Sequence, residues 1–78
     1  MDELTRRERE VMRLIARGQS NQAIALQLHL SVRTVESHIA SIFLKFGLAD
    51  DDATNRRVVA AVLWARTVDE EFGDEAVA

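Results

Sequence analysis

The sequence predicts an all-α domain of four helices, and three observations predict it. Apolar residues recur at three- and four-residue intervals, hydroxyl side chains stand where helix caps belong, and Gly18 and Gly47 each follow a periodic run. A residue just past a helix end often needs φ > 0, which glycine adopts without a steric penalty. Proline is absent, so no helix interior is broken on that account. The expected helices span about 5–17, 21–28, 32–46 and 53–66.

The first helix opens on Thr5-Arg6-Arg7-Glu8, the pattern of a capping box, in which Thr5 accepts from the amide three residues on and Glu8 reaches back. Val11, Leu14 and Ile15 then form one stripe, with Arg6, Arg9, Arg13 and Arg17 mostly off it. The second helix is short. Ser20 is placed as its cap, Ile24 and Leu28 make its inward row, and Ala25 keeps the adjoining surface small.

A link through His29 and Leu30 leads to Ser31, the cap of the third helix. Leu30 and Val35 have the spacing of a hydrophobic staple, which sets the angle at which the chain enters the helix. A short helix, a tight link and a firmly set next helix outline a helix-turn-helix over about residues 21–40. In the third helix Val32, Val35, Ile39, Ile42, Phe43 and Phe46 share one face. Arg33, Ser37, Ala40, Ser41 and Leu44 share the other, with Glu36 and Lys45 at the margins. That outer face is nearly flat for three turns, and small residues let a helix approach a surface as closely as a major groove requires.

After a link from Leu48 to Thr54, the fourth helix carries Asn55-Arg56-Arg57 and then an unbroken apolar run from Val58 to Ala65. One core-facing stripe uses only about three or four apolar residues per two turns, so some of these side chains face outward. Val58, Val59, Val62 and Leu63 are the expected surface for a second copy of the chain, against the alternative of complete burial within one domain.

With 78 residues the chain makes one small domain, and domains this short bury only about 60% of their unfolded surface. Residues 1–66 form the expected domain, and residues 67–78 an acidic, disordered tail. The division matters for charge. The body carries ten Lys and Arg against eight Asp and Glu, or +2, and the tail adds five acids for a net −3. Overall acidity therefore does not argue against a nucleic-acid partner as it would if spread evenly. Absence of cysteine, of a long apolar run and of a signal-peptide pattern reads as a soluble, cytoplasmic chain.

No nucleophile, base and orienting group fall into a set, so no enzyme and no cofactor are expected. His38 lies at the edge of the apolar face with only His29 for company, which favours packing over metal binding. The Asp50-Asp51-Asp52 run precedes a helix whose N-terminus favours negative charge, which explains it better than a cation site.

The segment LTRREREVMRLIARGQSNQAIALQLHLSVRTVESHIASIFLKFGL resembles the LuxR/NarL-type (GerE-like) helix-turn-helix domain, as in the C-terminal effector domain of bacterial response regulators. The shared pattern is L-T-x-R-E-R-E-V, S-N-x-x-I-A-x-x-L-x-L-S, T-V-x-x-H and a closing K-x-G, covering about residues 4–65. The resemblance implies a third helix that reads the major groove of double-stranded DNA and a fourth that joins two subunits into a homodimer. It leaves RNA polymerase open as a further partner. Carried over by position, Glu36, Ser37 and Ala40 would face bases. Arg33, Thr34, Ser41 and Lys45 would bind phosphates or lie near them, and Asn21 and Gln22 would offer amides to a phosphate.

Members of that family often carry Lys or Arg where this chain has Glu36 and Ala40, so their base preference does not transfer. Two readings of Glu36 stand side by side: acceptance from a cytosine N4 amine, or an ion pair with Arg33 three residues earlier. The competing functions are the promoter-reading domain of a sigma factor, which shares the R-E-R-E and I-A-x-x-L texture, and a helical protein-interaction module without DNA binding.

Overall fold

The computed structural model describes residues 3–49 and 55–76, with side chains described through residue 67. Four helices follow one another: α1 (Arg6–Ala16), α2 (Asn21–Leu28), α3 (Val32–Lys45) and α4 (Arg56–Ala76). Each of the first three ends lies within about a residue of its expected place. The expected start of α4 at 53 and the Asp50-Asp51-Asp52 run lie outside the described residues. The backbone of α4 runs helical to Ala76, well past the expected end at 66. No proline interrupts the segment, and an interior glycine such as Gly73 costs only about 1 kcal/mol relative to alanine without ending a helix.

The helix starts obey the local chemistry read from the sequence. Thr5 Oγ1 accepts from the Glu8 amide at 3.1 Å while Glu8 Oε1 accepts from the Thr5 amide at 2.8 Å, closing the capping box. Ser20 Oγ accepts from the Ala23 amide at 3.1 Å and Ser31 Oγ from the Thr34 amide at 3.0 Å.

The helix ends share one device. After α1, α2 and α3 a single residue takes the left-handed conformation: Gly18 (φ 83°), His29 (φ 57°) and Gly47 (φ 71°). The next amide then bonds five residues back: Gln19 to the Leu14 carbonyl at 3.0 Å, Leu30 to Ala25 at 2.9 Å and Leu48 to Phe43 at 3.0 Å. This is the Schellman arrangement, which satisfies carbonyls that the helix end would leave open. His29 fills the middle position, between α2 and α3, where the other two ends use glycine.

Each helix contributes to a single core. Val11, Met12, Leu14 and Ile15 from α1 meet Ile24 and Ala25 from α2, Val35, Ile39, Ile42 and Phe43 from α3, and Ala60 from α4. α1 is the shared support, since α2, α3 and α4 all pack on it. Leu30 and Val35, the expected staple pair, both belong to this core, Leu30 at its edge and Val35 fully buried. α3 is thus held from below by α1 and α2, and its other side is left to solvent.

Candidate nucleic-acid interface

The inner face of α3 decides its outer one. With Val35, Ile39, Ile42 and Phe43 buried, the helix turns Arg33, Thr34, Glu36, Ser37, Ala40 and Leu44 to solvent. Arg33, Ser37, Ala40 and Leu44 follow at helical intervals and make one row. Ser37 and Ala40 keep the middle of that row low, and Leu44 closes it with an apolar side chain that is 80% exposed. Arg33 has no ion-pair partner among the described residues, and Glu36 in particular does not pair with it. Of the two readings of Glu36, the internal ion pair therefore lacks its geometry.

Ser41 is placed differently from the sequence reading, which set it on the outer face, and Lys45, read at the margin, joins it. Both are half-buried and turn to α1. Ser41 Oγ donates to Glu8 Oε2 at 2.5 Å and Lys45 Nζ donates to Glu8 Oε1 at 2.7 Å. The reason is Glu8, which the sequence reading used only as a helix cap. Its residue is 4% exposed, and a buried carboxylate is costly unless donors satisfy it. Burial alone would raise the Glu8 pKa. Hydrogen bonds from Lys45, Ser41 and the Thr5 amide, with the Lys45 charge, outweigh it and hold the carboxyl down at about 2. The only sequence signal for this hub was the capping box itself, because the long-range partners are 33 and 37 positions away.

Beside α3 lies an open cleft of about 310 Å3, walled by Asn21 of α2, Glu36, Ile39, Ala40 and Phe43 of α3, and Arg56 and Arg57 of α4. Arg56 stacks over the Phe43 ring, 4.9 Å from its centroid. Arg57 donates to Asn21 Oδ1 at 2.8 Å and to the Gln19 carbonyl at 2.5 Å. Asn21 is half-buried and Gln22 exposed, and both stand in the first turn of α2, whose amides have no intrahelical acceptors. The sequence reading gave Arg57 no role. Nothing in the local pattern says that it reaches back across the α1–α2 turn.

On α4, Ala60 is fully buried, and Ala61 and Trp64 pack against the core. Val58 and Val62 are 57% and 48% exposed, with Val59 and Leu63 half-buried beside them. Among the described residues no group of three His, Cys, Asp or Glu could hold a metal ion, and no helix is long and apolar enough to cross a membrane.

A short second helix, a left-handed turn and a third helix with one buried and one open side, all carried on α1, make a helix-turn-helix DNA-binding domain. Comparison with known proteins names its kind: the family "Bacterial regulatory proteins, luxR family" matches residues 2–62. The chain belongs to that family. It is also similar to the response regulator protein VraR of Staphylococcus aureus, Staphylococcus epidermidis and Staphylococcus saprophyticus, in each case 45% identical over 47 residues. That alignment covers 60% of this chain and 22% of the relative, so the chain matches about a fifth of the length of those proteins.

Proposed function

We propose that this chain is the DNA-binding effector domain of a bacterial response regulator acting in the cytoplasm, that α3 enters the major groove, and that two copies bind together through α4. One observation carries the reading: α3 packs every large apolar side chain but Leu44 into or against the core and presents Arg33, Thr34, Glu36, Ser37 and Ala40 on a low open face. In this reading Glu36, Ser37 and Ala40 meet base edges, with Glu36 accepting from a cytosine amine, while Arg33 and Thr34 meet phosphates. Asn21 and Gln22 offer their amides and side chains to a phosphate on the adjoining strand. Ser41 and Lys45 act from beneath, fixing α3 to α1 through Glu8. The likeness to proteins named response regulators supports the effector role, and RNA polymerase is the natural further partner of such a domain.

Affinity in such a module rests mainly on phosphates, each neutralised one adding about −0.9 to the slope of log K against log salt. With few cations on this face, one copy binds weakly and two copies on adjacent half-sites bind usefully. The test is selection from randomised duplex DNA with the 78-residue chain, followed by fluorescence anisotropy across a salt series. An enriched two-part site bound with a steep salt dependence is expected. Binding to no duplex at any salt concentration overturns the reading.

A further inference from the structure

We propose that Arg57 is a positioning residue for DNA: by holding the Asn21 side-chain oxygen it turns the Asn21 amide into a fixed donor for one backbone phosphate seated in the cleft beside α3. The inference rests on the DNA-binding reading above and assigns a role to a residue that lies off the reading helix. Its basis is the chemistry of the two groups. A guanidinium carries five donors and no acceptor, so only Oδ1 of Asn21 can face it, and that bond is 2.8 Å long. The second bond, from Arg57 to the Gln19 carbonyl at 2.5 Å, holds the guanidinium plane against the turn that precedes α2. Two bonds from one rigid fork fix an orientation that a single flexible contact does not.

With Oδ1 so engaged, the NH2 of Asn21 must turn away from Arg57, and no described residue accepts from it. Asn21 lines the cleft together with Arg56 and Arg57, and among the described residues two cations stand there against the one carboxylate of Glu36. Arg56 is stacked on Phe43 and so is also held in place. A phosphate oxygen is the ligand these groups fit: an acceptor for Asn21 Nδ2 and an anion for the arginines. Without Arg57 the Asn21 amide can rotate by half a turn at little cost and present its oxygen, which repels a phosphate.

The experiment measures binding to a mixed-sequence duplex, because a phosphate seat is indifferent to base sequence. Four proteins are compared by fluorescence anisotropy: the unaltered chain, Asn21→Ala, Arg57→Lys and the double variant, with circular dichroism reporting their folding. Lysine keeps the charge but loses the fork. Each single variant is expected to lose on the order of fivefold in affinity, the worth of one ordinary hydrogen bond. The double variant should bind no more weakly than Asn21→Ala alone, and the salt slope should not change. Multiplying losses in the double variant, or full affinity in Arg57→Lys, overturns the proposal.

If Arg57→Lys does not fold, Asn21→Asp decides. It keeps an acceptor for Arg57 and removes the donor, so it should fold and bind more weakly than Asn21→Ala. Full affinity there also overturns the proposal. Absence of salt-dependent binding by the unaltered chain is a separate result: it removes the DNA-binding reading, and this inference with it.

Discussion

Glu8 and Lys45 stand 37 positions apart, yet their oxygen and nitrogen lie 2.7 Å from each other beneath the candidate reading helix. The pair joins the start of α1 to the end of α3, and Ser41 adds a second bond to the same carboxylate. Paired buried charges often contribute little net stability over apolar residues of the same shape, but breaking one partner leaves the other uncompensated. The arrangement therefore fixes the rotation of α3 about its axis, and with it which side chains face outward. A helix that turned by a third of a turn would bury Ser37 and expose Ile39.

Acid should loosen this joint first. The Glu8 carboxyl titrates at about 2 in the folded protein against an ordinary 4.5, so the unfolded chain takes up its proton at higher pH. Its contribution is complete above about pH 5, declines as pH falls below 4.5 and is gone below 2, amounting to up to about 3 kcal/mol. Urea unfolding at pH 6, 4 and 3 measures the decline. Glu8→Gln should be less stable at pH 6 by about 2–3 kcal/mol and should lose most of the pH dependence in that window. A variant that declines with acid as steeply as the unaltered chain would assign the effect to other carboxyls.

The two serines of α3 should separate cleanly. Ser41 donates to a buried charge, so Ser41→Ala should cost about 1.5–3 kcal/mol of stability. Ser37 is exposed, so Ser37→Ala should stay within about 0.5 kcal/mol of the unaltered chain while altering DNA binding. Thermal unfolding and anisotropy on the same samples give both numbers. Equal destabilisation by the two changes would contradict the outward placement of Ser37.

These two residues also show what could be read without coordinates. The helices, their caps and the inward rows are local: a hydroxyl three residues before its partner amide, or Val35, Ile39 and Ile42 repeating with the helix period, are visible in a window of a dozen positions. Ser37 on the outer row follows from the same count. Ser41, four residues on from Ser37, falls on the outer side by that count too; its half-burial depends on a carboxylate contributed by α1, which no periodicity encodes. Arg57 is a similar case, since its acceptors lie across the α1–α2 turn and one of them is a main-chain carbonyl. Long-range polar partners are the class of contact that spacing leaves open, and here they govern the site.

The turn between α2 and α3 stores a small strain. His29 adopts φ 57° and ψ 44°, a conformation that costs an L residue about 1–2 kcal/mol, while Gly18 and Gly47 occupy the equivalent places without it. Glycine at 29 relieves that cost but adds freedom to the unfolded chain, leaving a net gain of about 0.5 kcal/mol. His29→Gly should raise the melting temperature by about 2–4 °C. His29→Val, β-branched and ill suited to this region, should lower stability by more than about 1 kcal/mol. A drop on substitution by glycine would mean that the imidazole itself holds the turn.

The exposed side of α4 gives the sharpest test of assembly, because its two sides differ so strongly. Ala60 is fully buried, so Ala60→Leu must overpack the contact with the core and should cost about 1–3 kcal/mol. Val58 and Val62 are about half exposed, so Val58→Asp and Val62→Asp should each change the stability of a single copy by no more than about 0.5 kcal/mol. If two copies meet through this side on DNA, either charge places a desolvated carboxylate at the centre of the contact and removes cooperative binding to a two-part site. Binding to an isolated half-site should stay as it was, since neither residue belongs to the outer face of α3. Gel-shift titration on one and two half-sites, with thermal unfolding as the control, reads both effects. Cooperativity that survives both charges, in variants that remain folded, would move the contact between copies away from α4 altogether.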